Sequence, residues 1–223
     1  MDFREGKNQK LICFIDHFDS FSFNVLDWLT AGPESLEVLR IPSDDVVGLR
    51  KLRDATCPVV FSPGPGSPLE ASASLELCRS IVGRAPVLGI CLGHQILGVA
   101  AGWGISKASQ PFHGTRRAIN PVGESFFFGG LPPFHAATYN SLVLQIPQER
   151  ASHRYEARVT AICEFGEVQA IELMTEVKAV GVQFHPESFL SDDLSRFRDR
   201  WLAYAMAWMA NQSSAAAPLL IPS

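Results

Sequence analysis

The sequence predicts an α/β fold with three layers: a mostly parallel central sheet flanked by helices, with a smaller β-rich portion in the second half. Three observations predict it. Over residues 11–100, short apolar runs alternate with helix-patterned stretches, and strands joined through helices form parallel sheets covered on both faces. After Gly102 the helix signals thin out and strand-like segments follow one another. The chain also has 223 residues, 47% of them apolar and 15 of them Phe, enough for a sizeable single core.

The elements follow in order. Residues 11–15 form a short apolar run, and 20–29 carry a helix pattern that stops at Gly32-Pro33. A second strand is expected at 38–41, a short helix at 43–53, and a third strand at 58–61 that runs into Ser62-Pro63-Gly64-Pro65-Gly66. Ser67-Pro68-Leu69-Glu70 has a capping serine, a proline at the first helical position and a glutamate at the third, so a helix is expected to begin there. Ala73, Leu77 and Ile81 continue it four apart on one face until Pro86, and 87–90 make a fourth strand leading into Cys91. Further strands are expected at 116–120, 125–128, 137–139, 159–164, 168–173 and 180–184, with a hairpin around Gly166. A helix over 192–210 closes a single domain of residues 10–210, and 1–9 and 211–223 are expected to be flexible termini.

Composition narrows the function. A net charge of −4 without a Lys/Arg cluster argues against nucleic-acid binding. The first apolar run is too short for a signal-peptide core and the greasy stretch at 201–210 spans only half a membrane, so a cytoplasmic protein without a membrane segment is expected. Five cysteines, with no Cys-x-x-Cys and no paired histidine spacing, speak against both a disulfide framework and a zinc site. His17, His94, His113, His135 and His153 lie singly and are read as structural or surface residues; Asp16, Asp19, Asp44 and Asp45 are read as turn and cap residues.

Chemistry concentrates in three places. In Gly89-Ile90-Cys91-Leu92-Gly93 the glycines allow a sharp strand-to-helix turn that exposes Cys91. The helix start would favour its thiolate, and the Leu92 N–H would face an oxyanion. Taken alone, the motif suits a packed thiol at a tight turn as well as a nucleophile. Gly181-Val182-Gln183-Phe184-His185-Pro186-Glu187-Ser188 supplies a base: in extended backbone His185 and Glu187, two apart, point to one side, where the carboxylate orients the imidazole. Ser62-Pro63-Gly64-Pro65-Gly66-Ser67 lies at the carboxyl end of a strand, where open parallel sheets place ligands, and Gly66 has an N–H to offer an oxyanion; a plain turn is the competing reading.

Together and in this order, Ser62-Pro63-Gly64-Pro65-Gly66, Gly89-Ile90-Cys91-Leu92-Gly93-His94-Gln95 and Gly181 through Ser188 resemble the class I glutamine amidotransferases, with a similarity in element order over residues 10–208. Ile15-Asp16-His17-Phe18-Asp19-Ser20-Phe21 and Tyr139-Asn140-Ser141-Leu142 narrow the likeness to the glutaminase subunits of anthranilate synthase and 4-amino-4-deoxychorismate synthase. The resemblance implies Cys91 as nucleophile, His185 as general base and acid, Glu187 as its orienting partner, and the Gly66 and Leu92 backbone as oxyanion hole. It implies that Gln95, with Gly64, Pro65, Gly66 and the Ser141-Leu142 backbone, holds the α-amino and α-carboxylate groups of L-glutamine. It also implies a chorismate-using synthase as protein partner, in a heterodimer or heterotetramer, with no cofactor in this chain and Mg2+ only in that partner.

The chain departs from the family pattern at His17 and Phe18, often Asn and Tyr; at Thr115, often Lys; at Asn140, often His; and at Trp103, often Gly. None of these touches the triad, but they bear on which synthase is served, because the His113-Gly114 loop is expected near the subunit interface. A stand-alone hydrolase of γ-glutamyl bonds, another class I amidotransferase and a silent regulatory subunit are the competing readings. The intact Cys91, His185 and Glu187 count against silence.

Overall fold

The computed structural model describes residues 10–32, 36–54, 57–110, 114–147 and 155–215. The chain opens with β1 (Leu11–Asp16), α1 (Ser22–Thr30), β2 (Glu37–Pro42), α2 (Val46–Lys51), β3 (Val59–Phe61), α3 (Ser72–Ile81), β4 (Val87–Ile90) and α4 (Leu92–Ala100). It continues through β5 (Gly104–Lys107), β6 (Thr115–Pro121), β7 (Phe134–Thr138), β8 (Leu142–Gln145), β9 (Ala157–Cys163), β10 (Val168–Leu173) and β11 (Ala179–Val182) to α5 (Ser195–Ala215).

Among the described residues the main sheet has nine strands in the order β2-β1-β3-β4-β11-β10-β9-β6-β7. The first five of these are mutually parallel, and β11, β10, β9, β6 and β7 continue antiparallel. Most of the β-rich second half therefore extends the central sheet. Strand alternation feeds two cores: Ile12 and Phe14 of β1 pack with Val25, Leu29, Phe197 and Trp201, while Cys13 and Ile15 pack with Leu49, Leu77 and Ile96. In α5, Phe197, Trp201 and Ala205 recur four apart and are wholly buried, so one stripe of the helix seals the sheet; each large apolar side chain removed from water is worth about 1.5–3 kcal/mol.

Several expectations are corrected. Residues 67–70 close a turn, with the Glu70 carboxylate taking the Ser67 N–H at 3.1 Å, and α3 starts only at Ser72 because Ala71 (φ −81°, ψ 52°) leaves helical geometry. Residues 125–128 are not a strand. The N–H groups of Phe126 and Phe127 are bound by the buried Glu172 carboxylate and that of Phe128 by Ser125 Oγ, so none is left for a ladder. Two short strands, β5 and β8, were not foreseen; they pair with each other in a small second sheet. Helix α5 runs to Ala215, past the expected domain end at 210. Of the expected flexible termini 1–9 and 211–223, positions 1–9 and 216–223 lie outside the described residues, as do Pro33, His113 and His153.

Candidate active site

The carboxyl ends of four neighbouring parallel strands converge on one place, as the chemistry of open sheets requires. β1 ends beside His17, β3 runs into Ser62, β4 into Cys91, and β11 into Gln183 and His185. The pairing of β4 with β11 sets Gly89 opposite Gly181 and Ile90 opposite Val182, and the Cys91 N–H donates to the Val182 carbonyl at 2.8 Å.

Cys91 sits at φ 52° and ψ −103°, a conformation that costs a side-chain-bearing residue about 1–3 kcal/mol. The flanking glycines make it possible. A Cβ at Gly89 would strike the Gly93 carbonyl, and one at Gly93 would strike that of Phe61. α4 begins at Leu92, so the unpaired N–H groups of its first turn and the helix dipole face the sulfur region. Contrary to the expectation of an exposed thiol, Cys91 is only 8% accessible. The elbow lifts it from the strand, but the side chains gathered from β11 and the loops wall it in.

His185 is gripped by its backbone: its N–H donates to Ala137 at 2.9 Å, and Ser191 Oγ donates to its carbonyl at 2.6 Å. Its ring lies 5.2 Å from that of Phe21 and 4.9 Å from that of Tyr139, edge to face with the latter. Nδ1 meets Glu187 Oε1 at 2.7 Å, with both side chains at most 2% accessible. The extended geometry expected for this pair is not what joins them. β11 stops at Val182, and His185-Pro186-Glu187-Ser188 is a turn closed by the Ser188 N–H on the His185 carbonyl at 3.2 Å, a geometry that proline's fixed φ favours. Burial opposes protonation of His185, yet the charges of Cys91 and Glu187 override it and hold its pKa well above 6.5. Nε2 hydrogen-bonds to none of the described residues and is the nitrogen left for Cys91.

The loop after β3 packs onto the head of α4: a Cβ at Gly64 would come within 2.5 Å of His17 Cβ and 2.7 Å of Leu92 Cδ2. Gly64 is half-buried, and Pro65 and Gly66 are exposed at the rim, with Gly66 at φ +82°. Ser62 Oγ anchors the loop by accepting the His17 N–H at 2.8 Å and donating to the Pro63 carbonyl at 2.5 Å. That assignment makes His17 Nδ1 a donor to Ser62 Oγ at 3.1 Å and Nε2 an acceptor from Ser74 at 3.0 Å. Burial drops the His17 pKa to about 4, so this ring is a neutral strut. Asp16, read as a turn residue, binds the Phe18 N–H at 2.9 Å and Ser22 Oγ at 2.6 Å and is ion-paired with Arg40; burial resists its charge, but these partners hold its pKa below the usual value.

Gln95 is 3% accessible, and its Nε2 donates at 3.0 Å both to the Leu142 carbonyl and to Gln183 Oε1. The Leu142 carbonyl also accepts from Asn140 Nδ2 at 3.0 Å, and that of Ser141 accepts the Ala108 N–H at 2.9 Å. Both carbonyls are thus engaged inside the protein, where they fix Gln95 and the 140–142 segment. Gln183, fully buried, donates through Nε2 to Cys91 Sγ at 3.6 Å. Sequence reasoning passed over Gln183, Phe21 and Tyr139 as site residues, although each lies inside a quoted motif; Gln183 is two residues before His185. Among the described residues no group of three or more His, Cys, Asp or Glu side chains is placed to hold a metal, and no helix is long and apolar enough to cross a membrane.

Residues 13–202 match the family model for glutamine amidotransferase class-I. The chain is 34% identical over 193 residues to the bifunctional protein TrpGD of Thermotoga maritima, covering 86% of this chain and 32% of that protein, so it spans about a third of that relative's length. It is 35% identical over 181 residues to the aminodeoxychorismate/anthranilate synthase component 2 of Bacillus subtilis, covering 81% of this chain and 90% of the relative. Among solved structures, a glutamine amidotransferase from Thermotoga maritima superposes with a TM-score of 0.65 at 17% identity, over 95% of this chain and 87% of the other, a likeness of fold.

Proposed function

Because the chain belongs to the class I glutamine amidotransferase family, we propose that it is a glutaminase subunit that hydrolyses L-glutamine and delivers the ammonia to a chorismate-aminating synthase chain. The observation that carries the reading is the strained Cys91 at the head of α4, beside an imidazole locked at 2.7 Å to a buried carboxylate. Cys91 attacks the side-chain amide carbon as the thiolate, with His185 as imidazolium. The carbonyl oxygen, becoming an anion, is met by the N–H groups of Gly66 and Leu92. His185 Nε2 gives its proton to the departing nitrogen, ammonia leaves, and a glutamyl thioester remains on Cys91. Water then loses a proton to Nε2 and attacks the thioester; Cys91 departs as thiolate and glutamate is released. Glu187 keeps the imidazole oriented and stabilises its charged form throughout.

Gln95 with Gly64, Pro65, Gly66 and the Ser141-Leu142 segment is the subsite for the α-amino and α-carboxylate groups. Since both protons of Gln95 Nε2 are already donated, its Oε1 is the atom suited to an ammonium. The synthase partner aminates chorismate to anthranilate or aminodeoxychorismate, in line with the name of the Bacillus subtilis relative, and the pair works in the cytoplasm. The test is glutamate release from glutamine by the purified chain, alone and with each candidate synthase, alongside Cys91→Ala. Activity that rises with one synthase and vanishes in Cys91→Ala is expected. Activity that survives Cys91→Ala overturns the mechanism, and full activity without any synthase favours a stand-alone hydrolase.

A further inference from the structure

Gln183 has no part in the mechanism above, yet it is wholly buried between the nucleophile and the substrate subsite. Its orientation is determined by its neighbours. The Leu142 carbonyl can only accept, so the Gln95 group facing it at 3.0 Å must be the NH2; the same NH2 lies 3.0 Å from one terminal atom of Gln183, which must therefore be the oxygen. The remaining terminal atom, 3.6 Å from Cys91 Sγ, is then the amide nitrogen, a donor that cannot turn its oxygen to the sulfur without leaving Gln95. The backbone is held as firmly: the Gln183 N–H donates to Gln169 at 2.8 Å, and the preceding carbonyl, that of Val182, accepts the Cys91 N–H at 2.8 Å.

We propose that Gln183 is a positioning residue for the nucleophile: its side-chain N–H steadies the Cys91 sulfur as the anion at the elbow, and Gln95 and the Leu142 carbonyl keep that N–H pointed at it. The inference rests on Cys91 being the nucleophile of the proposed reaction. A donor of fixed direction in a buried site favours the thiolate over the thiol, because hydrogen bonds to charged groups are stronger than those to neutral ones. It also joins Gln95, in the proposed substrate subsite, to the sulfur through one intervening side chain.

The experiment follows iodoacetamide alkylation of the Cys91-containing tryptic peptide against pH by mass spectrometry, with glutamine kinetics in parallel. In Gln183→Met, similar in shape but without a donor, the half-maximum of alkylation moves up by about one pH unit, kcat near neutral pH falls about tenfold, and KM stays within about twofold. Gln183→Glu keeps an acceptor for Gln95 but has no donor when ionised, and shifts alkylation at least as far upward. Gln95→Leu leaves Gln183 in place without its orienting partner and moves the midpoint in the same direction by less. Circular dichroism identifies the variants that fold, and an unchanged or lowered midpoint in any folded one of the three overturns the proposal. Alkylation needs no turnover, so an upward shift in the variants beside a wild-type chain that hydrolyses no glutamine, alone or with a synthase, would sink the proposed function and leave only the hold of Gln183 on the Cys91 sulfur standing.

Discussion

Cys91 and His185 sit in a site where every neighbour has a direction. The His185 pKa is raised because Cys91 and Glu187 outweigh desolvation, so the imidazolium survives to a pH above 6.5. In the proposed reaction its deprotonation ends the protonated state that gives ammonia its proton, and the alkaline limb of kcat/KM should therefore lie above pH 6.5. Glu187→Gln removes one of the two stabilising charges. That limb is expected to move to lower pH, with kcat reduced about a hundredfold, and a pH–rate profile with glutamine checks both; an unmoved limb would show that Glu187 does not act through His185. The glycines beside Cys91 are equally directional. Gly93→Ala drives a methyl into the Phe61 carbonyl, and a loss of about 1–3 kcal/mol in urea-unfolding stability is expected.

At the scale of elements, legibility followed the reach of the interactions. β1 to β4 and their helices were readable because each is defined by a local period and by Gly or Pro punctuation. Ser67 to Glu70 carried a capping pattern, and the capping bonds formed, but they closed a turn instead of opening a helix. Residues 125–128 have strand-like composition, yet Glu172, more than forty positions away, takes their N–H groups. Arg117 lies in the segment expected as a strand, and nothing local sets it apart from an exposed strand arginine. It is in fact 1% accessible and donates to Glu167 at 3.0 Å, while Glu167 Oε1 receives the Ser109 N–H at 2.7 Å, which ties the loop after β5 to the β9–β10 hairpin. α5 seals one face of the sheet through its buried stripe. Trp201→Ala is expected to cost about 3–5 kcal/mol, read from the shift of the urea midpoint at unchanged slope.

The whole molecule carries a pH dependence written by its buried histidines. Burial depresses the pKa of His17 to about 4 and that of His94 to about 3, the Gly181 backbone offsetting the latter only in part. Between those values and about 6.5 the unfolded chain binds protons that the native one refuses, so unfolding is favoured as pH falls. Their contribution is complete above pH 6.5 and is lost as pH descends through about 4 and then 3. His185 has the opposite sign: its contribution is complete below 6.5 and is lost as pH rises through its elevated pKa. Stability measured by urea titration from pH 7 to pH 4 should therefore fall, and His17→Asn should flatten part of that fall; an equally steep decline in that variant would assign the effect elsewhere.

By itself the sequence determined what short-range sterics and periodicity can specify. Only glycine fits on either side of Cys91, so the elbow is implicit in five residues, and the quoted motifs were enough to mark out the family and to nominate Cys91, His185, Glu187 and Gln95. The tertiary structure alone decided how these residues meet. Cys91 and Gln183 are 92 positions apart, and they are neighbours because β4 and β11 pair in parallel in one register, a choice made by the burial of both strands between two cores. Parallel pairing is satisfied over distances that no local pattern records. The shielding of Cys91, the turn that brings Glu187 to His185 and the single orientation of the Gln183 amide all follow from that packing, because each depends on groups contributed by strands and loops remote in the chain.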